Sequence, residues 1–272
     1  MKDGKLCISA DSHVVESAEF FEPLVKRFGD DQMPQTADNL AREYGITREQ
    51  ADIFAAASQS KYAAAKGEGF FAGEIEAVEL PPTRKGPVPA VTDDEHPRPG
   101  TDVATLAKMK VLYKDGVTTA GNASGVNDGA VALMVGSKKA GEKAGAKPLV
   151  RIISSASAGA RPDIMGIGPV AASKKALARI GLSIKDMDII EINEAFAAQV
   201  LSCLKGLDVA FDDKRVNPNG GAIALGHPLG ASGARLALTA ARQLHRIGGR
   251  YALVSLCIGG GQGTAVILER VQ

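Results

Sequence analysis

Three segments in the second half of the chain hold a chemically versatile side chain beside glycines or at the end of an apolar run. His227 lies in "GHPLGASGAR", Cys257 lies in "LCIGGGQG", and Asn193 precedes Glu194 in "EINEAF". An imidazole exchanges protons near neutral pH, and a thiol becomes a base or nucleophile once it is deprotonated. Flanking glycines let a ligand or another main chain approach closely. The three segments are therefore candidates for acid/base chemistry on a bound ligand.

Each of these residues also has a purely structural interpretation. A cysteine on an aliphatic strand is commonly a small core residue, a histidine among glycines can bond loop carbonyls, and an asparagine before a helix is an ordinary N-cap. The stretch "GIGPVA", residues 166–171, imitates a dinucleotide-binding loop. Pro169 removes a backbone donor that a phosphate would need, so we predict no dinucleotide site there.

The elements that position these side chains follow an alternating pattern from Val117 onward. Apolar runs that predict strands alternate with stretches of helical periodicity, which indicates an α/β fold whose sheet is covered on both faces. Only a glycine-rich turn separates the last two strands, so we expect them to be antiparallel neighbours. Open α/β sheets bind ligands at the carboxyl ends of their strands, where the three segments lie. The predicted strands are "PLVRIISSAS", "DMDIIEIN", "RYALVSLCI" and "GTAVILERV", and the helices are "VAASKKALARIG", "EAFAAQVLSCLKGL" and "ASGARLALTAARQLHRIGG".

Upstream of this region the sequence is less regular. Thr47 and Gln50 form a capping box, and apolar or small residues then recur at helical spacing through Tyr62, which predicts a helix. Proline and basic residues concentrate in residues 81–100, which predicts loops and short strands.

Composition excludes several classes of protein. A net charge of +1 over 272 residues gives no overall field for nucleic acid or a membrane surface. No apolar run approaches the length of a membrane span, and "MKDGKLCISADSH" lacks the apolar centre of a signal peptide. The three cysteines, Cys7, Cys203 and Cys257, have neither disulfide-framework nor metal spacing. We predict a cytoplasmic protein without nucleic-acid or membrane partners.

Taken together, several motifs resemble the thiolases, of the acetyl-CoA acetyltransferase or 3-ketoacyl-CoA thiolase type. They are "NEAFAAQ", "GGAIALGHPLGASGAR", "CIGGGQGTAVILER", "TTAGNASGVNDGA" and "MGIGPVAASKKAL", and the resemblance runs from Gln32 to Gln272. It implies a layered α-β-α-β-α fold of two similar halves, with a loop domain inserted in the first. It also implies acyl exchange between coenzyme A thioesters, with coenzyme A or acetyl-CoA as substrate and no permanent cofactor. Thiolases are homo-oligomers, either dimers or tetramers.

The resemblance assigns four catalytic roles. His227 would polarise the thioester oxygen and activate a thiol nucleophile, while Cys257 would remove or return the α-proton. Asn193 would hold a water that completes an oxyanion hole with His227, and the N–H of Gly259 would serve a second hole. A cysteine in this role needs a donor-rich setting, which we expect the glycine turn to provide.

Coenzyme A contacts carry over by position. Ser124 in "GNASG" would face the pantetheine arm, and Arg98 in "EHPRPG" would lie by the adenine and phosphates. A solvated loop is the alternative for Arg98. Soft and apolar side chains would line the acyl and pantetheine tunnel: Met33, Met165 and Phe196.

The resemblance breaks where the acyl-accepting cysteine of the family would stand. That residue belongs to a Cys–small–Ser–Gly motif, whereas Cys7 in "KLCISADSH" lacks the Ser-Gly. Residues 1–31 instead weakly resemble the start of metal-dependent amidohydrolases, with Asp11 and His13 as the only candidate ligands. Two ligands without the rest of a barrel make no metal site, so we predict none.

The predicted architecture is thus a thiolase-like layered fold with a loop domain, a complete C-terminal half and an N-terminal half that is largely missing. The predicted division is an unrelated segment over 1–31, the loop domain over 32–116, a remnant of the N-terminal half over 117–148 and the C-terminal domain over 149–272. The usual dimer strand would be absent. The predicted function is thiolase-type acyl transfer by a truncated chain without the acyl-accepting cysteine. The alternatives are a non-catalytic coenzyme A or acyl-CoA binding module, a metal-hydrolase fragment, and a fragment without function.

Overall fold

The computed structural model describes residues 33–271, so Cys7, Asp11 and His13 lie outside the described residues. The first part of the described chain is helical and irregular, and it contains no regular strand between residues 33 and 149. Its α-helices are α1 (Met33–Tyr44), α2 (Arg48–Gly67), α3 (Val103–Ala107) and α4 (Lys138–Lys143).

The second part alternates strands and helices, but the pattern predicted from Val117 begins only at Val150, because side-chain bonds and not a strand ladder hold the preceding segment. In chain order these elements are β1 (Val150–Gly159), α5 (Gly168–Ala178), β2 (Ile189–Ile192), α6 (Ala197–Gly206), α7 (Ala222–Leu225), α8 (Leu229–Ile247), β3 (Tyr251–Ile258) and β4 (Gln262–Arg270). The sheet order is β1-β4-β3-β2. Strand β2 runs parallel to β3, while β4 is antiparallel to both β3 and β1. The predicted antiparallel pairing of the last two strands is confirmed.

Helices cover both faces of this sheet, which confirms the prediction from its aliphatic strands. On one face Ile190, Leu253 and Ile267 join the core formed with α5 and α6. On the other face Ile189 and Val254 pack against the apolar stripe of α8. Neighbouring residues of one strand thus enter opposite cores, and this explains why the strands read as continuous apolar runs.

The capping box predicted at the start of α2 is present. The Thr47 hydroxyl accepts from the Gln50 N–H at 3.2 Å, and the Gln50 amide oxygen accepts from the Thr47 N–H at 2.9 Å. Small residues then let this helix lie close to its neighbours, and Ala51, Phe54 and Ala55 are buried in the same core as α6. Helix α2 is therefore fixed to the sheet layer along its length.

Side chains, and not a strand ladder, hold the segment that follows α3. One carboxylate oxygen of Asp38 accepts from the Val117 N–H, the Thr118 N–H and the Thr118 hydroxyl at 2.7–2.9 Å. Further along, the Asn122 amide donates to Asp52 at 2.9 Å. These bonds tie the segment to α1 and α2, and they give it a fixed path without a sheet.

One buried asparagine, in the loop before α7, bonds the main chain at the end of β2. The Asn217 side chain accepts from the Ile192 N–H and donates to the Ile192 carbonyl, both at 2.9 Å, so it continues the ladder that β2 leaves open. Its backbone φ of +40° is in the left-handed region, which asparagine tolerates better than most residues. Asn217 thereby fixes the main chain just before Asn193.

Two absences hold for the part of the chain described here. Between Met33 and Val271 no helix combines the length and apolar character needed to cross a bilayer. Within the same range no three His, Cys, Asp or Glu side chains are grouped so that they could hold a metal ion.

We predict that Asn217→Ala lowers the free energy of unfolding by about 3 kcal/mol, because it leaves buried polar groups of Ile192 without partners. Urea unfolding followed by circular dichroism measures this loss. The matched control is Asn39→Ala at a partly exposed site, for which we expect a loss below about 1 kcal/mol. Equal losses in the two variants would contradict the prediction.

Candidate active site

The ends of two parallel strands bring the segments of Asn193 and Cys257 to the same edge of the sheet. The Asn193 N–H donates to the Ser255 carbonyl at 3.0 Å, which extends the pairing of β2 with β3 by one residue. Cys257 lies two residues beyond Ser255, at the same edge of the sheet. The predicted grouping at the carboxyl ends of the strands is therefore what the structure shows.

The segment that holds His227 reaches this edge through the loop between α7 and α8. The His227 Nδ1 atom lies 2.6 Å from the Ser232 hydroxyl, which also donates to the Pro228 carbonyl at 3.0 Å. The amide nitrogen of Asn193 lies 3.2 Å from His227 Nε2. Since an amide nitrogen and a hydroxyl that already donates both face the ring, this geometry favours the tautomer with its proton on Nδ1.

His227 is neutral at physiological pH. Burial, with a smaller contribution from the positive charge of Arg235, lowers the imidazole pKa to about 4. Arg235 lies on α8 one turn beyond Ser232, and it is 3.7 Å from the fully buried carboxylate of Glu191. Burial raises the pKa of Glu191 to about 8, so this carboxyl is mostly protonated at neutral pH.

Cys257 departs from the expected electrostatics. Burial raises its thiol pKa to about 11, whereas the expectation from the glycine turn was a donor-rich setting that stabilises the thiolate. The thiol is therefore protonated at neutral pH. The glycines that follow Cys257 allow the tight turn between β3 and β4, because Gly260 and Gly261 have φ values of +83° and +102°, which glycine adopts readily.

Gly259 lies beside the first residue of α1. The space that a Cβ on Gly259 would take is 3.3 Å from the terminal methyl of Met33, so these two predicted site residues are neighbours. Met165 is buried in the turn before α5, and Phe196 is half-buried at the start of α6. Arg98 is exposed in a loop, where its guanidinium donates to three main-chain carbonyls of residues 95–97.

A short segment, residues 122–127, joins the two halves of the site. The Ser124 N–H and hydroxyl both donate to the Ala195 carbonyl, at 3.0 and 3.1 Å. Ala123 forms a bridge with Phe196, which keeps Phe196 extended. This pairing is why α6 begins at Ala197, three residues later than the pattern predicted.

The same segment then holds the histidine loop. The His227 N–H donates to the Gly125 carbonyl at 3.2 Å and to the Asn127 side-chain oxygen at 3.1 Å. Sequence reasoning assigned no role to Asn127 or to Ser232. The motif "GNASGVND" was the available signal for Asn127, but nothing in it shows which main chain the amide meets.

Glu194 points away from the candidate ligand position and into the protein. Its carboxylate accepts from the Ser58 hydroxyl at 2.6 Å, the Asn217 amide at 2.8 Å and the Ile223 N–H at 3.1 Å. A side chain at Gly221 would collide with this carboxylate. Glu194 is thus the internal support of the site, whereas its position in sequence suggested only the start of a helix.

Comparison with known families places both halves of the chain. The family model described as "Thiolase, C-terminal domain" matches residues 146–270, and "Thiolase, N-terminal domain" matches residues 8–139. The second match does not support our expectation that the N-terminal half is largely missing, and that expectation was wrong. The match begins inside the segment 1–31 that we expected to be unrelated.

Individual relatives agree with these matches. A beta-ketoadipyl-CoA thiolase of Acinetobacter baylyi is 53% identical over 254 residues, which are 93% of this chain and 63% of that protein. The 3-oxoadipyl-CoA/3-oxo-5,6-dehydrosuberyl-CoA thiolase of Escherichia coli is 53% identical over the same share of each.

The fold agrees as well. A crystal structure of human mitochondrial 3-ketoacyl-CoA thiolase superposes with a TM-score of 0.83 at 48% identity, over 88% of this chain and 60% of that one. The chain spans a little under two thirds of the length of the relatives it matches. With two thiolase family models side by side along its sequence and a thiolase fold around its polar site, this chain belongs to the thiolase family.

Proposed function

We propose that this chain binds coenzyme A thioesters and carries out the proton-transfer and oxyanion part of thiolase acyl transfer. The observation that carries the proposal is the Asn193–His227 contact of 3.2 Å at the sheet edge that also holds Cys257. Membership of the thiolase family supports it. The full acyl exchange, with C–C bond cleavage or condensation, is proposed for the family's catalytic cycle and not for this chain alone.

His227 and Asn193 form the oxyanion side of the proposed site. A neutral imidazole can donate one hydrogen bond and accept another, and the Ser232 hydroxyl can serve Nδ1 as acceptor or as donor. For catalysis the Ser232 hydroxyl turns from the Pro228 carbonyl to donate to Nδ1, the ring proton then lies on Nε2, and the Asn193 amide holds a bound water beside it. His227 Nε2–H then faces the thioester oxygen and stabilises the negative charge that develops on it.

Cys257 is the proposed acid/base. Its thiolate takes the α-proton of an acyl-CoA, the electron pair moves onto the thioester oxygen as an enolate, and the thiol then returns the proton to carbon. A thiol whose pKa is raised to about 11 is a strong base when it ionises, which suits a weakly acidic C–H bond. The Gly259 N–H is the proposed donor of the second oxyanion hole.

The substrate contacts remain proposals by position. Ser124 would face the pantetheine arm, Arg98 would lie near the adenine and phosphates, and the tunnel wall would consist of Met33, Met165 and Phe196. The proximity of Met33 to Gly259 supports the tunnel. The names of the relatives favour short 3-ketoacyl-CoA thioesters as first ligands to test. A cytoplasmic location and a homo-oligomer are proposed on the same footing.

The acyl-accepting cysteine is the part of the cycle that we do not assign. Cys203 is fully buried on α6, its thiol donates to the Gly166 carbonyl at 3.1 Å, and burial raises its pKa far above the ordinary range. Cys257 is assigned to proton transfer, and Cys7 lies outside the described residues. We therefore propose that the 272-residue chain performs proton exchange without completing acyl transfer.

We predict that the chain exchanges the α-protons of acetyl-CoA with D2O, which proton NMR of the acetyl signal measures. Cys257→Ala removes the base and should slow this exchange at least about 100-fold. His245→Gln, on the exposed end of α8, is the matched histidine control, and Cys7→Ser is the matched cysteine control. Both controls should exchange at the wild-type rate. Wild-type chain that neither binds nor exchanges acetyl-CoA would refute the proposal.

The pH dependence of this exchange should follow the thiol. Only the ionised form of Cys257 is the base, and its pKa is about 11, so the rate should rise about tenfold per pH unit from about pH 7 to about pH 9.5. His227 stays neutral throughout, since its pKa is about 4. Exchange rates corrected for the buffer reaction give the slope. A flat profile would show that Cys257 is not the base.

We expect no thiolysis of acetoacetyl-CoA by the 272-residue chain and no acyl-enzyme. Incubation with acetoacetyl-CoA followed by intact-mass spectrometry should show no mass increase of one acetyl group. An acetylated cysteine, located by peptide mapping, would contradict this expectation and identify the missing nucleophile.

A further inference from the structure

His96 is a half-buried histidine that none of the assigned roles uses. It lies in the loop before Arg98 and packs against the segment 122–127. A Cβ at Gly125 would come within 2.5 Å of the His96 ring, so only glycine leaves room for the imidazole there. The Ile223 main chain of α7 is also near the ring and acts on its pKa. The ring is therefore enclosed by the segment 122–127 and α7.

Its remaining nitrogen faces Asn127. His96 Nδ1 lies 3.4 Å from the Asn127 amide nitrogen, and the Asn127 amide oxygen accepts from the His227 N–H at 3.1 Å. An amide has one accepting and one donating end. The amide can serve both histidines at once only when His96 Nδ1 accepts, which places the His96 proton on Nε2.

Packing supports this single orientation of the amide. A Cβ at Gly226 would lie 2.5 Å from the Asn127 amide oxygen, so the amide fills the space beside the main chain of the histidine loop. Rotating the amide by half a turn would point N–H groups at the His227 N–H. That arrangement loses one hydrogen bond and sets two donors against each other.

We propose that His96 and Asn127 are positioning residues for His227: neutral His96 sets the direction of the Asn127 amide, and the amide holds the His227 main chain. The catalytic consequence rests on the function proposed above, whereas the structural consequence does not. Protonation of His96 turns Nδ1 into a donor, so it no longer accepts from the amide. The hold on the His227 loop is then weakened, and proton exchange falls on the acid side.

Burial and the charge of Arg98 keep His96 neutral at physiological pH. Burial is the largest cause of its lowered pKa and Arg98 adds to it, while the Ile223 main chain and the charge of Asp94 oppose them. Burial raises the pKa of Asp94, and Arg235 of α8 opposes this by favouring the ionised carboxylate, so it sustains the opposing charge of Asp94. The groups that face the ring from the segment 122–127 and from α7 are uncharged, namely the Asn127 amide and the Ile223 main chain.

The test compares two variants at position 96 by two readouts. His96→Leu fills the space without an acceptor, and His96→Asn places an amide oxygen where Nδ1 stands. Nitrogen-detected NMR of the imidazoles, assigned by loss of the His227 signal in His227→Gln, should show a shifted and broadened His227 ring in His96→Leu and near wild-type signals in His96→Asn. In the exchange assay His96→Leu should lower kcat at least about fivefold with little change in KM, and His96→Asn should stay within about twofold.

His96→Leu that melts like wild type and leaves both the His227 signals and kcat unchanged would overturn the proposal. If His96→Leu does not fold, Asn127→Asp decides, because it keeps an acceptor for the His227 N–H and removes the donor to His96. It should raise the His96 pKa in an NMR titration and move the acid limb of exchange to higher pH. An unchanged His96 pKa would overturn the proposal.

Absence of exchange in the wild-type chain would refute the proposed function. The NMR signals of His227 would then decide this inference by themselves.

Discussion

The arrangement of this molecule depends on one buried carboxylate. Glu194 accepts hydrogen bonds from α2 through Ser58, from the loop between α6 and α7 through Asn217, and from the start of α7 through Ile223. A buried carboxylate is unfavourable unless several donors compensate it, so these three elements can pack only in the relation that supplies all the donors. The directions of the chain on both sides of Asn193 follow from this requirement.

The polar site is built outward from that support. Parallel pairing of β2 with β3 sets Asn193 beside the strand that ends in Cys257, and the loop after α7 then returns His227 to Asn193. The segment 122–127 crosses both and bonds to each through main-chain groups. Glycines at the crossing points, such as Gly125 and Gly226, are required by close contact with side chains that a Cβ would displace.

Desolvation gives this site its chemical character. It keeps His227 neutral, keeps Cys257 protonated and raises the pKa of Glu191, each by disfavouring the charged form. In such surroundings the hydrogen-bond donors act on a developing oxyanion with little competition from water. The same desolvation makes the uncharged contacts of His96 and Asn127 sensitive to a single proton.

The sequence by itself determined the elements and the type of chemistry. Strand and helix patterns after Leu149, the capping box at Thr47 and the glycine-flanked His227 are local features, and local propensity and spacing suffice to recognise them. Only the tertiary structure decided which groups meet. The contacts of Glu194 with Ser58, of His227 with Asn193 and of Asn127 with two histidines depend on how distant segments cross, and the pKa of Cys257 depends on burial. Such contacts join residues up to 136 positions apart, as for Ser58 and Glu194, and no local pattern encodes the distance between them.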